Sequence, residues 1–355
     1  MRQNHSNAFD VLRLVLAVLV VYTHAHLLGG FGDEGFSRLV RHQTSAGSFA
    51  VLGFFGISGF LVTRSFITQE TWKLFVKARL LRIIPGLLLA LILTGFFFAP
   101  IISYLNASSG GWHAADATRF VVRNAFVKVH EWHVGNVLSG LPYEGSINGS
   151  LWSLFPELLC YGVVLVFGLA GTLRLARANL VLFLFVVLVC HITLVLAPSR
   201  DNLVPTILSL TKWAPYITAF LVGAAGYLYK DELNLGGRQA LLWWMVVAAL
   251  LKFGGWSLFA PLVLPLALIH AAYSCRISLP ADLSYGIYVL HFPILHLVSA
   301  SGLNRHGFPL YFFIGITLTA LFACLSWFLV EKPALNLKTK GTPRMPPPDL
   351  GLLRS

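Results

Sequence analysis

Residues 9–28 of the chain read FDVLRLVLAVLVVYTHAHLL. An apolar stretch of about 20 residues has the length that an α-helix needs to cross the hydrocarbon core of a bilayer. The stretch lacks the period-two alternation of a barrel strand. It is also too long for a signal-peptide core, and no clear cleavage site follows it. We therefore interpret it as a retained first transmembrane helix.

Similar apolar stretches recur along all 355 residues, of which 57% are hydrophobic and 11% are charged. A soluble domain carries about 25% charged residues. The sequence therefore predicts an all-α, polytopic transmembrane helix bundle of about ten helices. The predicted helices span 9–28, 47–68, 84–105, 151–169, 180–197, 214–229, 240–254, 256–274, 285–301 and 309–330. Two of them can be separate only if Gly254 and Gly255 form a very tight turn.

The positive charges predict the orientation of the bundle. Most of the 26 lysine and arginine residues fall on the side that carries the N-terminus, which predicts N- and C-termini in the cytoplasm. Residues 1–335 are expected to form one transmembrane domain, and the proline-rich residues 336–355 a short disordered cytoplasmic tail. The four cysteines show no metal-ligand spacing, so no metal is expected. Because the net charge of +12 is explained by membrane loops, no nucleic-acid partner is expected.

Three ionisable residues lie in the first predicted helix, where burial in lipid is costly and usually reflects function. They are Asp10, Arg13 and His24. At about 100° per residue all three share one face, and Arg13 and His24 are about 16 Å apart along the axis. Interfacial anchoring is the alternative. His26 lies on the opposite face and is interpreted as an interfacial histidine.

The second predicted helix and the connection after it carry two further patterns. Small residues around Ser58 and Gly59 allow a slender ligand or a neighbouring helix to approach the backbone. Arg79 and Arg82 are three residues apart, on one helical face, and two guanidinium groups so placed can bind phosphates. Ordinary positive-inside anchoring is the simpler explanation for such a pair in isolation.

The fourth predicted helix places Glu157 about two turns inside the membrane. A glutamate cannot extend to the interface as lysine does, so we interpret it as a functional or ion-paired group. The preceding loop, 106–150, is rich in aromatic and polar residues. These residues suit either a sugar-stacking surface or an ordinary interfacial belt; they are Trp112, His113, Trp132, His133, Tyr143 and Glu144.

The order of these motifs resembles the acyltransferase 3 family of integral-membrane acyltransferases, which includes bacterial O-antigen and exopolysaccharide O-acetyltransferases. The matching features are Arg13 with His24, the run Phe54–Leu61, Arg79-x-x-Arg82-Ile83-x-Pro85, Ser150–Leu154 with Glu157, Ser284-Tyr285 with His291-Phe292-Pro293, and Glu331-Lys332-Pro333. One departure is Phe155-Pro156 before Glu157, where the family often has a residue such as Val or Tyr.

The resemblance implies a membrane O-acyltransferase that uses acetyl-CoA or another acyl-CoA as donor. Arg79 and Arg82 would bind the donor phosphates, and Ser58 and Gly59 would line its channel. His24 would act as general base or accept the acyl group itself. Arg13 and Asp10 would orient the first helix, with Arg13 also a candidate donor contact, and Glu157 would position the acceptor.

The expected acceptor is a hydroxyl group of an envelope glycan or a lipid-linked sugar, and the expected location is the bacterial inner membrane. A secondary transporter or flippase is the alternative, because intramembrane charges also line transport pathways. A structural scaffold would leave Asp10, Arg13 and His24 on one face without a reason. Acceptor identity, acyl chain length and oligomeric state are left open by the sequence.

Overall fold

The structure is a computed structural model. It describes residues 8–69, 71–107, 110–171, 212–275 and 277–337, together with parts of 173–192. The described residues form helices and connecting loops and contain no β-strand. Half of the predicted helix 180–197 lies outside them. So does most of the predicted tail.

The described α-helices are numbered here in chain order. They are α1 (Phe9–Gly29), α2 (Gly35–Leu39), α3 (Ala46–Thr68), α4 (Trp72–Leu93), α5 (Ala99–Leu105), α6 (Ala114–Asn124), α7 (Leu154–Leu169), α8 (Ala214–Leu228), α9 (Gly237–Phe253), α10 (Trp256–Ser274), α11 (Ser284–Ala300), α12 (Phe308–Ser326) and α13 (Lys332–Asn336).

Six continuous helical stretches are long and apolar enough to cross a membrane, counted over the described residues. They are Phe9–Gly29, Ala46–Thr68, Trp72–Leu105, Gly149–Leu169, Trp256–Ser274 and Phe308–Asn336. Two apolar helices, α8 and α11, are shorter. The all-helical membrane bundle is therefore supported, whereas the predicted number of about ten spans and the orientation of the termini stay predictions.

The prediction of the third helix was wrong at its N-terminal end. The helix begins at Trp72 rather than at residue 84, because the Thr71 side chain accepts a hydrogen bond from the Leu74 amide and caps the new helix. Pro85 lies inside the helix instead of near its start. Arg79 and Arg82 consequently belong to a continuous helix and not to a connection.

The tight turn between α9 and α10 is present. Gly254 and Gly255 have φ angles of +112° and +89°, in the region that favours glycine. The turn joins Phe253 to Trp256 with two residues and brings the two helices against each other.

Close helix packing sets the centre of the bundle. A Cβ atom on Gly59 of α3 would lie 1.8 Å from the Phe220 carbonyl oxygen of α8, and one on Gly223 would lie 2.0 Å from the Gly56 carbonyl oxygen. Glycine therefore allows the α3 and α8 backbones to touch. On its other sides α3 packs against α1 and α10.

Helix α11 is buried along almost its whole length. It packs against α1 and α12, so its side chains face the same interior as Arg13 and His24. Pro293 lacks an amide hydrogen and leaves the Val289 carbonyl without its helical partner. The Asn148 side-chain amide donates to that carbonyl at 2.9 Å, which fixes the segment before α7 against α11.

Candidate active site

Two histidines from α1 and α11 are in direct contact. The Nδ1 atom of His24 lies 2.7 Å from the Nε2 atom of His291. Their rings are nearly parallel, and Phe292 packs against His24 edge to face. His291 is fully buried, whereas His24 keeps part of its surface exposed. The pair therefore combines a rigid inner imidazole with an accessible outer one.

Asp282 joins two arginines toward the other end of α1. Its Oδ2 atom accepts hydrogen bonds from Arg13 at 2.8 Å and from Arg82 at 2.6 Å. Its Oδ1 atom accepts from the Ser284 hydroxyl and amide at the start of α11. Burial raises the pKa of the Asp282 carboxyl, but the two guanidinium groups and Ser284 outweigh burial and hold that pKa well below its usual range. Asp282 is therefore an anion at physiological pH.

Arg79 lies beside this cluster without an ion pair to any carboxylate among the described residues. One terminal nitrogen lies 3.4 Å from the Ser65 hydroxyl, and the guanidinium lies 5.8 Å from the Tyr161 ring centre. Its Nε atom is buried with no hydrogen-bond partner. A buried, unpaired guanidinium donor is suited to an anionic ligand.

Glu157 links α3 to α7. Its Oε1 atom accepts hydrogen bonds from the Ser58 hydroxyl and the Tyr161 hydroxyl, both at 2.7 Å. This polar contact joins α7 to α3. It brings two sequence-predicted residues, Ser58 and Glu157, to one position.

Two adjoining cavities with shared lining residues connect these groups. One is lined by Arg79 and Arg82, the other by Ser153 and Tyr288, and both are lined by Arg13, Ser58, Glu157 and Tyr285. The inner end is bounded by Ser153 and Tyr288, whose hydroxyl oxygens are 2.6 Å apart. The Tyr288 ring lies 6.3 Å from the His291 ring. The two cavities therefore run from the arginines toward the histidine pair.

Two residues predicted to belong to the site, Gly59 and Asp10, do not line these cavities. Gly59 packs against the α8 backbone. Asp10 lies within electrostatic range of Asp282, Arg13 and Arg82 but forms no ion pair with a described residue. The structure thus brings together Arg13, Arg79, Arg82, Ser58 and Glu157, with His24 beyond the inner end of their cavity.

The loop 106–150 contains helix α6 and returns over the His24 end of α1. Tyr143 packs on Phe292, the same ring that contacts His24. Trp132 is exposed, whereas Trp112 is partly buried and donates to the Gly95 carbonyl oxygen. Only part of the predicted aromatic surface is therefore free to meet a ligand.

Sequence reasoning assigned no role to Asp282 or His291. His291 belongs to the motif that opens with Ser284-Tyr285, and an imidazole in an apolar helix is the signal that could have identified it. Asp282 lies just before α11, and its contact with two arginines that are distant in the chain leaves no signal in the local sequence. Glu331 is also buried and accepts from Ser326.

A family model described as an acyltransferase domain matches residues 6–328. This chain belongs to the acyltransferase 3 family. The resemblance noted in the motifs is confirmed, and the chain is an O-acyltransferase with the helices of a multi-pass membrane protein.

Two relatives align with this acyltransferase over nearly their whole length. An O-acetyl transferase of Shigella phage Sf6 is 30% identical over 354 residues, which cover 96% of this chain and 98% of the relative. Nodulation protein 10 of Rhizobium leguminosarum bv. viciae is 29% identical over 362 residues, which cover 94% and 95%. No solved structure matches the chain.

Proposed function

We propose that this acyltransferase moves an acyl group, acetyl as the first candidate, from acyl-CoA to a hydroxyl group of an envelope glycan or lipid-linked sugar. The observation that carries the proposal is the arrangement along α1. The arginine cluster with the unpartnered Arg79 Nε lies toward one end, and His24 lies about 16 Å from Arg13 along the helix.

Acyl-CoA fits the charge of the arginine end. Asp282 neutralises one positive charge of the Arg13 and Arg82 pair, and Arg79 has no carboxylate partner among the described residues. A guanidinium fork binds phosphate oxygens bidentately. Arg79 is therefore the proposed main phosphate ligand, and Arg82 and Arg13 add positive potential.

The rest of the cavity fits the remainder of the donor. The pantetheine arm of acyl-CoA is long and slender, and the cavity past Ser58 and Glu157 is narrow and leads toward Tyr288. With the arginine end in the cytoplasm, as the positive-inside rule predicts, acyl-CoA would enter from the compartment that contains it. The proposed location is a bacterial inner membrane.

The proposed acceptor site lies on the opposite side, next to His24. There the loop residue Tyr143 packs on Phe292. The same loop carries the exposed Trp132, whose ring could stack on a sugar. His24 would take the proton from the acceptor hydroxyl as the oxygen attacks the thioester carbonyl. Attack by His24 itself, which would form an acyl-histidine, uses the same side chain.

The match to an acyltransferase domain and to an O-acetyl transferase favours acyl transfer over the transporter alternative. A direct test uses the full chain in proteoliposomes. Acetyl-CoA labelled in the acetyl group is added outside the vesicles, and bacterial envelope glycans are enclosed inside them. We expect label on glycan hydroxyl groups, found by mass spectrometry as one added acetyl mass, and no label with His24→Ala protein. Movement of unmodified glycan without acetylation would overturn the proposal.

A further inference from the structure

The contact between His24 and His291 restricts where their protons lie. At 2.7 Å, one of the two facing nitrogens must carry a hydrogen and the other a lone pair. The distance alone does not say which nitrogen is the donor. The second nitrogen of His291 decides it.

The Nδ1 atom of His291 lies 3.0 Å from the carbonyl oxygen of Ile287, one turn earlier in α11. A carbonyl oxygen only accepts, so Nδ1 of His291 carries the hydrogen. A neutral imidazole has one such hydrogen, which leaves a lone pair on Nε2 of His291. Nδ1 of His24 is therefore the donor in the contact between the rings.

The state of the remaining ring nitrogen, Nε2 of His24, follows as well. With its hydrogen on Nδ1, neutral His24 has a lone pair on Nε2. That atom has no hydrogen-bond partner among the described residues, and the side chain is partly exposed. The free lone pair is thus presented away from His291, on the accessible part of His24.

We propose that His291 is a positioning residue that holds the proton of His24 on Nδ1 and so makes Nε2 of His24 the reacting atom. This inference rests on the proposed function of His24 as base or acyl acceptor. The rigid surroundings suit the role: His291 is fully buried in α11, and Phe292 packs against the His24 ring from a second direction.

The proton balance of the transfer closes within this pair. The acceptor hydroxyl gives its proton to Nε2 of His24, and its oxygen forms a bond to the thioester carbonyl carbon. The carbon–sulfur bond then breaks, and the thiolate takes the proton from Nε2. While His24 is protonated, its Nδ1–H bond to His291 spreads the charge over two rings.

The first test reads the tautomer without using activity. Full-length protein with ¹⁵N-labelled histidine is studied by NMR in nanodiscs, and the His24 signals are assigned from a His24→Gln variant. We expect a protonated Nδ1 and an unprotonated Nε2 in wild-type protein, and a loss of this preference in His291→Leu. The opposite tautomer of His24 in wild-type protein would overturn the inference, whether or not the acyl-CoA proposal holds.

The second test reads turnover with acetyl-CoA. We expect His291→Leu to lower kcat by about 10- to 100-fold with little change in KM for acetyl-CoA, since the arginines are distant. His291→Gln places an acceptor oxygen near the former Nε2 and is expected to recover part of that loss. The matched control is His270→Leu, which removes another buried histidine from α10, outside the site.

Equal kcat losses in His291→Leu and His270→Leu, with no recovery by glutamine, would overturn the positioning role. If wild-type protein transfers no acetyl group from acetyl-CoA, the proposed donor is wrong, and the NMR result still decides the proton arrangement of the pair.

Discussion

Arg82 donates a 2.6 Å hydrogen bond to Asp282, although 200 residues separate them in the chain. Arg82 comes from the middle of α4, and Asp282 from the segment just before α11. Their side chains are 13% and 16% exposed. Because Arg13 binds the same carboxylate oxygen, this contact connects three parts of the chain at the arginine end of the cavity.

Replacing Asp282 by asparagine is expected to destabilise the fold. The change leaves two poorly solvated guanidinium groups without their anion, and breaking a buried pair in this way costs about 3–5 kcal/mol. Denaturant unfolding in detergent measures the effect. The control is Asp231→Asn, since Asp231 pairs with Lys230 but is 83% exposed, where loss of an ion pair changes stability by about 0–1 kcal/mol. Similar losses in both variants would contradict the prediction.

The stability contributed by Asp282 is expected to depend on pH only in acid. Because its folded-state pKa is depressed, the carboxylate stabilises the fold above its ordinary unfolded pKa and loses that contribution as pH falls through the folded pKa. The stability difference between wild-type protein and Asp282→Asn should thus stay constant from about pH 5 to pH 8 and shrink below about pH 4. A difference that shrinks near neutral pH would contradict it.

Arg79 is expected to contribute more to donor binding than to folding. It has no carboxylate partner among the described residues, so Arg79→Ala removes a phosphate ligand without exposing a buried anion. A charge-assisted hydrogen bond contributes about 1.5–3 kcal/mol, which corresponds to a 10- to 100-fold weaker Kd for CoA. Isothermal titration measures the change. Arg64→Ala, on the exposed surface of α3, serves as control, and an equal effect there would rule out a specific role.

Two glycine variants should respond in opposite directions. A Cβ atom on Gly59 would lie 1.8 Å from the Phe220 carbonyl oxygen, whereas one on Gly162 of α7 would meet nothing within 4 Å. Gly59→Ala is therefore expected to lower stability by about 1–3 kcal/mol or more. Gly162→Ala should raise it by about 0.5–1 kcal/mol. Thermal unfolding of both variants in one detergent gives the comparison, and a neutral Gly59→Ala would disprove the close helix contact.

His24→Ala is expected to abolish turnover while sparing donor binding. Loss of a general base lowers the rate by about 10²- to 10⁴-fold, and the arginine end lies about 16 Å away along α1. The control is His26→Ala, because His26 faces away and stacks on Phe308. Radiolabel transfer and CoA affinity are measured together. Near-normal turnover of His24→Ala would remove its proposed role.

Much of the membrane architecture could be predicted from local sequence because hydropathy is a property of each segment. The turn at Gly254 and Gly255 could also be predicted locally, because glycine tolerates the positive φ angles of a two-residue turn. The start of α4 could not be predicted in this way. Its charged residues suggested a connection, whereas Thr71 caps a helix that contains them. The surroundings of Gly59 were also open, since the same small residues serve a ligand or a neighbouring helix.

The sequence by itself determined that the chain is built of membrane-length apolar helices and that Asp10, Arg13, His24 and Glu157 lie in them, because lipid restricts both length and polarity. It also placed Arg13 and His24 on one helical face through the 3.6-residue repeat. Only the tertiary structure decided their partners. Asp282 and His291 approach α1 from α11 and the segment before it, more than 260 residues away in the chain. Helix periodicity fixes directions within one helix, whereas contacts between helices depend on how the whole bundle packs.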